Sequence, residues 1–190
     1  MKAVWICLIV LLALGLLWLL MIFCKRKKST FSALGKYYYA HRGLHDAKNG
    51  VPENSLLAFR RAVEHGYGTE LDVHLTKDGV LVLSHDGSID RCAMGSGNIS
   101  DYNWEQLKTI AVKPGQGGSS AYLLTEDDAA LLNSLPNYAE HSGTAVAGQT
   151  IPLSRMDDLI DLLKKLGPNT MVNLDHCFSQ ELFTSCYVLF

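Results

Sequence analysis

The chain has 190 residues, of which 48% are hydrophobic and 19% charged, with a formal net charge of −2. That is enough for one packed domain and short for two, and it argues against a disordered chain. Setting aside Lys2 and the four bases at 25–28 leaves 12 of the 17 Lys and Arg against 19 Asp and Glu, a net −7 that argues against a basic nucleic-acid surface.

Residues 3–24, "AVWICLIVLLALGLLWLLMIFC", carry no charge. A run of that length spans a bilayer core as a helix, so it predicts an uncleaved single-pass transmembrane anchor. A cleaved signal peptide has a shorter apolar region and a small-residue cleavage site. Lipoprotein processing at Cys24 conflicts with the bulky "MIF" before it. Lys2 precedes the run, and Lys25, Arg26, Lys27 and Lys28 follow it. The positive-inside bias then puts the globular part in the cytoplasm. The predicted organisation is an anchor with its basic flank over 1–28 and a globular domain over 29–190. Cys7 and Cys24 lie in or at the apolar run. Cys92, Cys177 and Cys186 are scattered without a C-x-x-C pair, as thiols in a reducing compartment are.

Residues 29–36 read as a polar linker and 36–43, "KYYYAHRG", as a short β-favouring run. "HDAKNGVPENS" is a loop. A helix follows over 55–65, capped by Asn54 or Ser55, with Leu56, Phe59, Ala62 and Val63 as its apolar stripe and Gly66 as its stop. "GTELDVHLT" is a strand whose alternation puts Leu71, Val73 and Leu75 on one face and Glu70, Asp72 and His74 on the other. "KDG" turns the chain and "VLVLSHD" returns as a second strand. After a Gly- and Ser-rich loop, 104–110 predict a short helix. Residues 112–150 hold one helix near 126–133 and are otherwise too long for an ordinary connection, which predicts an insertion or a lid. "LSRMDDLIDLLKKLG" is a helix capped by Ser154, with Asp157 at the capping-box position and Met156, Leu159, Ile160, Leu163 and Leu166 inward. "NTMVNLD" is the next strand. Strand, helix, strand, long crossover, helix, strand is an α/β order with parallel strands. There is no internal repeat.

Chemistry in parallel α/β folds gathers at the carboxyl ends of strands. His41 and Arg42 end the first strand here, Glu70 and Asp72 lie on the second, His85 and Asp86 end the return strand, and Asp175 ends the last. Carboxylates from different strands make a hard oxygen site, which suits Mg²⁺ or Ca²⁺ better than zinc. Two imidazoles beside it suit proton transfer near neutral pH, and Arg42 offers a fork for a phosphate. Blander readings exist for several of these residues. His74 reads as a satisfied polar-layer histidine, and His45 and His65 as solvent-facing. Glu53 equally favours a helix N-terminus. Glu70 and Asp72 could pair with bases on a solvent face, but that does not explain why they interrupt a β-favouring run where His85 returns.

"HRG" (41–43), "PENS" (52–55), "ELDVHLTKDGVLVLSHD" (70–86) and "DRCAMGSG" (90–97) together resemble the glycerophosphodiester phosphodiesterase family. The resemblance spans about residues 38–110 and resumes more weakly over 151–175. It implies a TIM (β/α)₈ barrel of the phospholipase-C-like phosphodiesterase type, which hydrolyses glycerophosphodiesters to sn-glycerol 3-phosphate and an alcohol with a divalent cation, Mg²⁺ or Ca²⁺. On matching positions it implies His41 and His85 as general acid and base, Arg42 as the phosphate contact, and Glu70, Asp72 and Asp175 as metal ligands. Glu53 either binds the metal or braces its ligands. Asp175 stands where the family usually has Glu, and Cys177 where it has Lys. A phospholipase-type phosphodiesterase acting on membrane lipid is the nearer alternative, and "ELDVHLTKDG" with "PENS" fits it less well.

Such a barrel needs eight strand–helix units. Three barrel strands are readable, and the fifteen residues after Asp175 cannot supply five more. The expectation is therefore an N-terminal part of the barrel preceded by the anchor: an enzyme if completed, a non-catalytic remnant if not.

Overall fold

The computed structural model describes residues 2–22, 35, 37–115, 120–166, 170–176 and 186–189. It divides into two compact units, 1–36 and 37–190. The division falls after the predicted linker rather than before it.

The first unit holds helix α1, Lys2–Ile22, with no acidic residue in its first turn and no basic one in its last. Trp5, Ile9, Leu11, Leu12 and Trp18 are all more than half exposed, so the helix is apolar all round rather than on one stripe. Its continuously described side chains cover only residues 8–19. Among the described residues no helix is long and apolar enough to cross a membrane. The transmembrane expectation over 3–24 is therefore not supported by them, because much of that run lies outside the described side chains and the remainder is shorter than a bilayer core.

The second unit is built on one five-stranded sheet. Strands β1 (Tyr39–Ala40), β2 (Gly68–Leu75) and β4 (Met171–His176) run parallel side by side. These are the three strands the sequence predicts, in barrel order. Strand β3 (Leu81–Leu83) returns antiparallel on the far end of β2. Strand β5 (Cys186–Leu189) pairs antiparallel with β4 and is not predicted. The described residues form an open mixed sheet with a parallel centre rather than a closed barrel.

Parallel strands are covered on both faces, and β2 shows the consequence: Gly68 through Val73 are all buried. Leu75, expected inside, is 39% exposed because it ends β2 opposite Leu81 of β3, which is exposed to the same extent.

Helix α2 (Leu56–Glu64) covers one face of the sheet. Ser55 is its cap: Oγ accepts from Ala58 N at 3.2 Å and donates to Pro52 O at 2.7 Å. Asn54, the other candidate, goes elsewhere. Helix α3 (Trp104–Leu107) stops short of the predicted end at 110, its cap box closed by Asn103 and Gln106.

The described residues of 112–150 pack into the domain. They contain helix α4 (Glu126–Asn133), as predicted, and helix α5 (Tyr138–Ser142), which is not. Leu124, Ala129, Leu132, Leu135, Tyr138 and Ala145 from this stretch are buried in the common core. Helix α6 (Met156–Leu166) packs on α2. Its innermost residues are Asp158, Leu159, Leu162 and Leu163, with Ile160 only half-buried. Ser154 does not cap it. Arg155 O closes the first turn with Leu159 N, while Ser154 Oγ accepts from Leu56 N at 3.1 Å and so serves the start of α2.

Gly43 follows β1 with φ +75°, and a Cβ there would lie 2.8 Å from the backbone carbon and Cβ of Ala58 in α2. Gly79 has φ +81° and nothing within 4 Å. Both pay about 1 kcal/mol for an alanine in the left-handed region, and Gly43→Ala adds about 1–3 kcal/mol of overpacking. Urea melts are expected to show the larger loss at Gly43; equal losses would contradict this packing.

Candidate active site

The site is assembled around β2. Glu70 and Asp72 are two residues apart, so the pleat sends them to one face. They are 7% and 3% exposed. A buried carboxylate is costly unless hydrogen-bonded or paired, and each has dedicated partners. Asn54 Nδ2 donates to Asp72 Oδ2 at 3.0 Å, and Asp72 N donates back to Asn54 Oδ1 at 3.3 Å. Arg42 N donates to Glu70 Oε2 at 2.8 Å.

Arg42 and Asn54 are the two non-glycine residues with positive φ among the described residues, at 56° and 50°. That conformation costs a residue with a Cβ about 1 kcal/mol or more. The two turns lock together, Asn54 N donating to Arg42 O at 3.0 Å. The unfavourable backbone therefore coincides with the two groups that grip the carboxylates. Sequence reading placed Asn54 only as a helix cap; "PENS" carries no spacing signal for a partner eighteen residues away.

Two arginines meet at Glu53. Arg42 Nη1 donates to Glu53 Oε1 at 3.0 Å, and Arg91 donates to both oxygens, Nη2 to Oε1 at 2.7 Å and Nη1 to Oε2 at 2.9 Å. Burial works against the Glu53 charge, but the Arg91 and Arg42 guanidiniums outweigh it and hold the carboxyl below its ordinary range. Both Glu53 oxygens are thus engaged by arginine. The Arg42 Nε lies 3.7 Å from Asp72 Oδ2 and is buried without a hydrogen bond. Arg91 is a site residue that the sequence reading did not single out. It lies in "DRCAMGSG", six residues after His85, but nothing local announces that it reaches Glu53.

The third arginine contact leads to a histidine. Arg91 Nε donates to Asp86 Oδ2 at 2.6 Å, and the other Asp86 oxygen sits 2.6 Å from His85 Nδ1. The Arg91 hydrogen bond, against an opposing effect of burial and with a lesser contribution from His85, lowers the Asp86 carboxyl to about 2. An ionised carboxylate only accepts, so the His85 proton is on Nδ1 and Nε2 is left for other work. His41 is 68% exposed in its side chain, with Nε2 4.0 Å from Glu70 Oε2. His74 is turned away, its Nε2 3.2 Å from His85 O. Cys92 lies beside Glu53 in a small cavity also lined by Pro52 and Lys113; burial pushes its thiol up to about 12.

Strand register sets Asp175 level with Asp72 on the neighbouring strand; the Asp175 side chain and the whole of Cys177 lie outside the described residues. The donor chemistry fits a hard cation. Glu70 and Asp72 are buried oxygen donors, and the Asn54 amide and the Arg42 guanidinium both approach Asp72 at Oδ2. Among the described residues no group of three His, Cys, Asp or Glu is arranged to hold a metal ion, so the described part of the ligand set is this pair.

The Asp86 ion pair carries a pH signature. Its folded value of about 2 lies below the ordinary 3.8, so the stability it contributes is present above about pH 4 and is lost as pH falls toward 2. Acid melts should show Asp86→Asn less stable than wild type at pH 6, the difference closing below pH 4. A constant difference down to pH 2 would contradict the assignment.

The sequence profile of the glycerophosphoryl diester phosphodiesterase family matches residues 41–177. A glycerophosphodiester phosphodiesterase of Caldanaerobacter subterraneus subsp. tengcongensis is 53% identical over 72 residues, 37% of this chain and 28% of that protein. Glycerophosphodiester phosphodiesterase 1 of Rattus norvegicus is 48% identical over 73 residues, 37% of this chain and 21% of that protein. The matches thus span about a quarter of these curated relatives. A crystal structure of a glycerophosphoryl diester phosphodiesterase from Silicibacter pomeroyi superposes with a TM-score of 0.50 at 20% identity, covering 74% of this chain and 45% of that one; it supports a TIM-barrel-like α/β fold, of which the parallel sheet here is a part. With well over half of its length matched by the family profile, the chain belongs to the glycerophosphoryl diester phosphodiesterase family.

Proposed function

We propose that this site hydrolyses glycerophosphodiesters to sn-glycerol 3-phosphate and an alcohol. The observation that carries the reading is the pair of buried carboxylates on one face of β2, Glu70 and Asp72, each held by a dedicated donor, with His41 and His85 at neighbouring strand ends. Family membership and the names of the curated relatives support the substrate class.

Glu70, Asp72 and Asp175 would hold a divalent cation, Mg²⁺ or Ca²⁺. When bound it supplies charge stabilisation to the phosphoryl oxygens. The remaining work falls to the chain itself. His85 presents Nε2 as a base for the attacking water, its ring oriented through Nδ1 by Asp86. His41, solvent-exposed and near Glu70, delivers a proton to the departing alkoxide. Arg42, its guanidinium held at Nη1 by Glu53, serves as the phosphate contact. Asn54 holds Asp72 in place from both its side-chain oxygen and its amide. Glu53 braces the two arginines rather than binding the cation directly.

The N-terminal run keeps this chemistry at a lipid surface, with the globular part on the cytoplasmic side. What supports this is the uncharged stretch 3–24, its basic flank at 25–28 and the exposed Trp and Leu of α1. A second reading is a site that keeps the carboxylate pair without turnover, because the sheet of the described residues is open.

The test is release of glycerol 3-phosphate from glycerophosphocholine by the full chain in detergent with Mg²⁺ or Ca²⁺. Glu70→Gln and Asp72→Asn should each lower the rate by about 100-fold or more, His85→Ala by about 10²–10⁴-fold, and chelation should abolish it. Cooperative melting without cation-dependent turnover would establish the second reading instead.

A further inference from the structure

Arg91 has an unusual amount asked of it. Its side chain is about a quarter exposed, yet all three guanidinium nitrogens are used: two on the two oxygens of Glu53 and the third on Asp86. Glu53 is thirty-eight residues away in sequence, in the turn that also carries Asn54. Asp86 is the residue that holds His85 Nδ1. The guanidinium plane therefore joins the loop of the carboxylate cluster to the end of β3, where His85 stands. Asp86 has no other side-chain hydrogen bond among the described residues than those with Arg91 and His85. With Arg91 removed, its carboxylate loses the partner that fixes its direction, and the imidazole loses the reason to keep its proton on Nδ1.

We propose that Arg91 is a positioning residue for the reaction: by clamping Asp86 to Glu53 it fixes the tautomer and ring orientation of His85, so that Nε2 is the nitrogen offered to the substrate. The fork geometry matters. Two parallel bonds to Glu53 plus one to Asp86 use a planar group with donors in fixed directions, which an ammonium cannot reproduce. A wrong tautomer leaves a histidine in place but useless, since the nitrogen facing the reaction then carries the proton instead of accepting one. The inference rests on the reading of His85 as the proton acceptor, and its test has one arm that does not need turnover.

The full chain in detergent, with Mg²⁺ and glycerophosphocholine, is compared with Arg91→Ala, Arg91→Lys and Asp86→Asn. The ¹⁵N shifts of His85, assigned against His85→Ala, report its tautomer. Expected are a fall in kcat of about 100-fold in Arg91→Ala with KM changed less than about threefold, no recovery in Arg91→Lys, and partial recovery of Arg91→Ala on adding guanidinium ion. In the wild type His85 should be the Nδ1–H tautomer; in Arg91→Ala and Asp86→Asn it should become a mixture. Retention of the Nδ1–H tautomer in a folded Arg91→Ala would overturn the proposal whatever the rate does. If the wild type itself shows no turnover, the hydrolase reading fails, and the tautomer shift alone decides for or against the positioning role.

Discussion

The structure depends on burying two carboxylates on a strand at the parallel centre of its sheet. Glu70 and Asp72 sit where β2 is covered on both faces, and an unpaired buried charge there costs several kcal/mol. Much of what surrounds them answers that cost. Arg42 and Asn54 adopt left-handed backbone conformations, which place an amide on Glu70 and a side-chain amide on Asp72. Gly43 lets the turn approach α2 closely enough to do so. Ser154 satisfies the first amide of α2, and Ser55 caps it, so the helix that follows "PENS" starts where Asn54 needs to be.

Electrostatics then extend outward from this centre. Asp72 on β2 meets the Arg42 guanidinium, while Glu70 takes the Arg42 amide; Arg42 shares Glu53 with Arg91; Arg91 shares Asp86 with His85. Acids and bases alternate along the chain of contacts, and the Glu53 and Asp86 carboxyls are held below their ordinary range. Such a network orients the histidine at its end and braces the carboxylate pair at its start. Removing one member exposes its neighbours to the full desolvation cost, so single substitutions here act on more than one residue.

Much of this was legible from the sequence where the signal is local. The alternation of β2, the "KDG" return, the stripe of α2 and the span of α4 all follow from period and turn chemistry, and the structure agrees. The gathering of His41, Glu70, Asp72 and His85 on one sheet followed from parallel-strand logic. What was not legible depends on distant partners. Asn54 and Ser154 each looked like the cap of the adjacent helix, and each serves a residue far along the chain. Arg91 has no periodicity to reveal it. Residues 112–150 read as an insertion or a lid because Gly and Ser obscure the scattered apolar side chains that join the core.

The central claim is that the Glu70–Asp72 pair is a cation site. Thermal melting of the full chain over a titration of Mg²⁺ and of Ca²⁺ tests it without requiring turnover, since a ligand that binds the folded state raises its stability in proportion to RT ln(1 + [L]/Kd). The account predicts a rise of about 2.7 kcal/mol at a hundredfold excess over Kd for the wild type, and none for Asp72→Asn. A wild type indifferent to both cations, or an Asp72→Asn variant that responds equally, would contradict it.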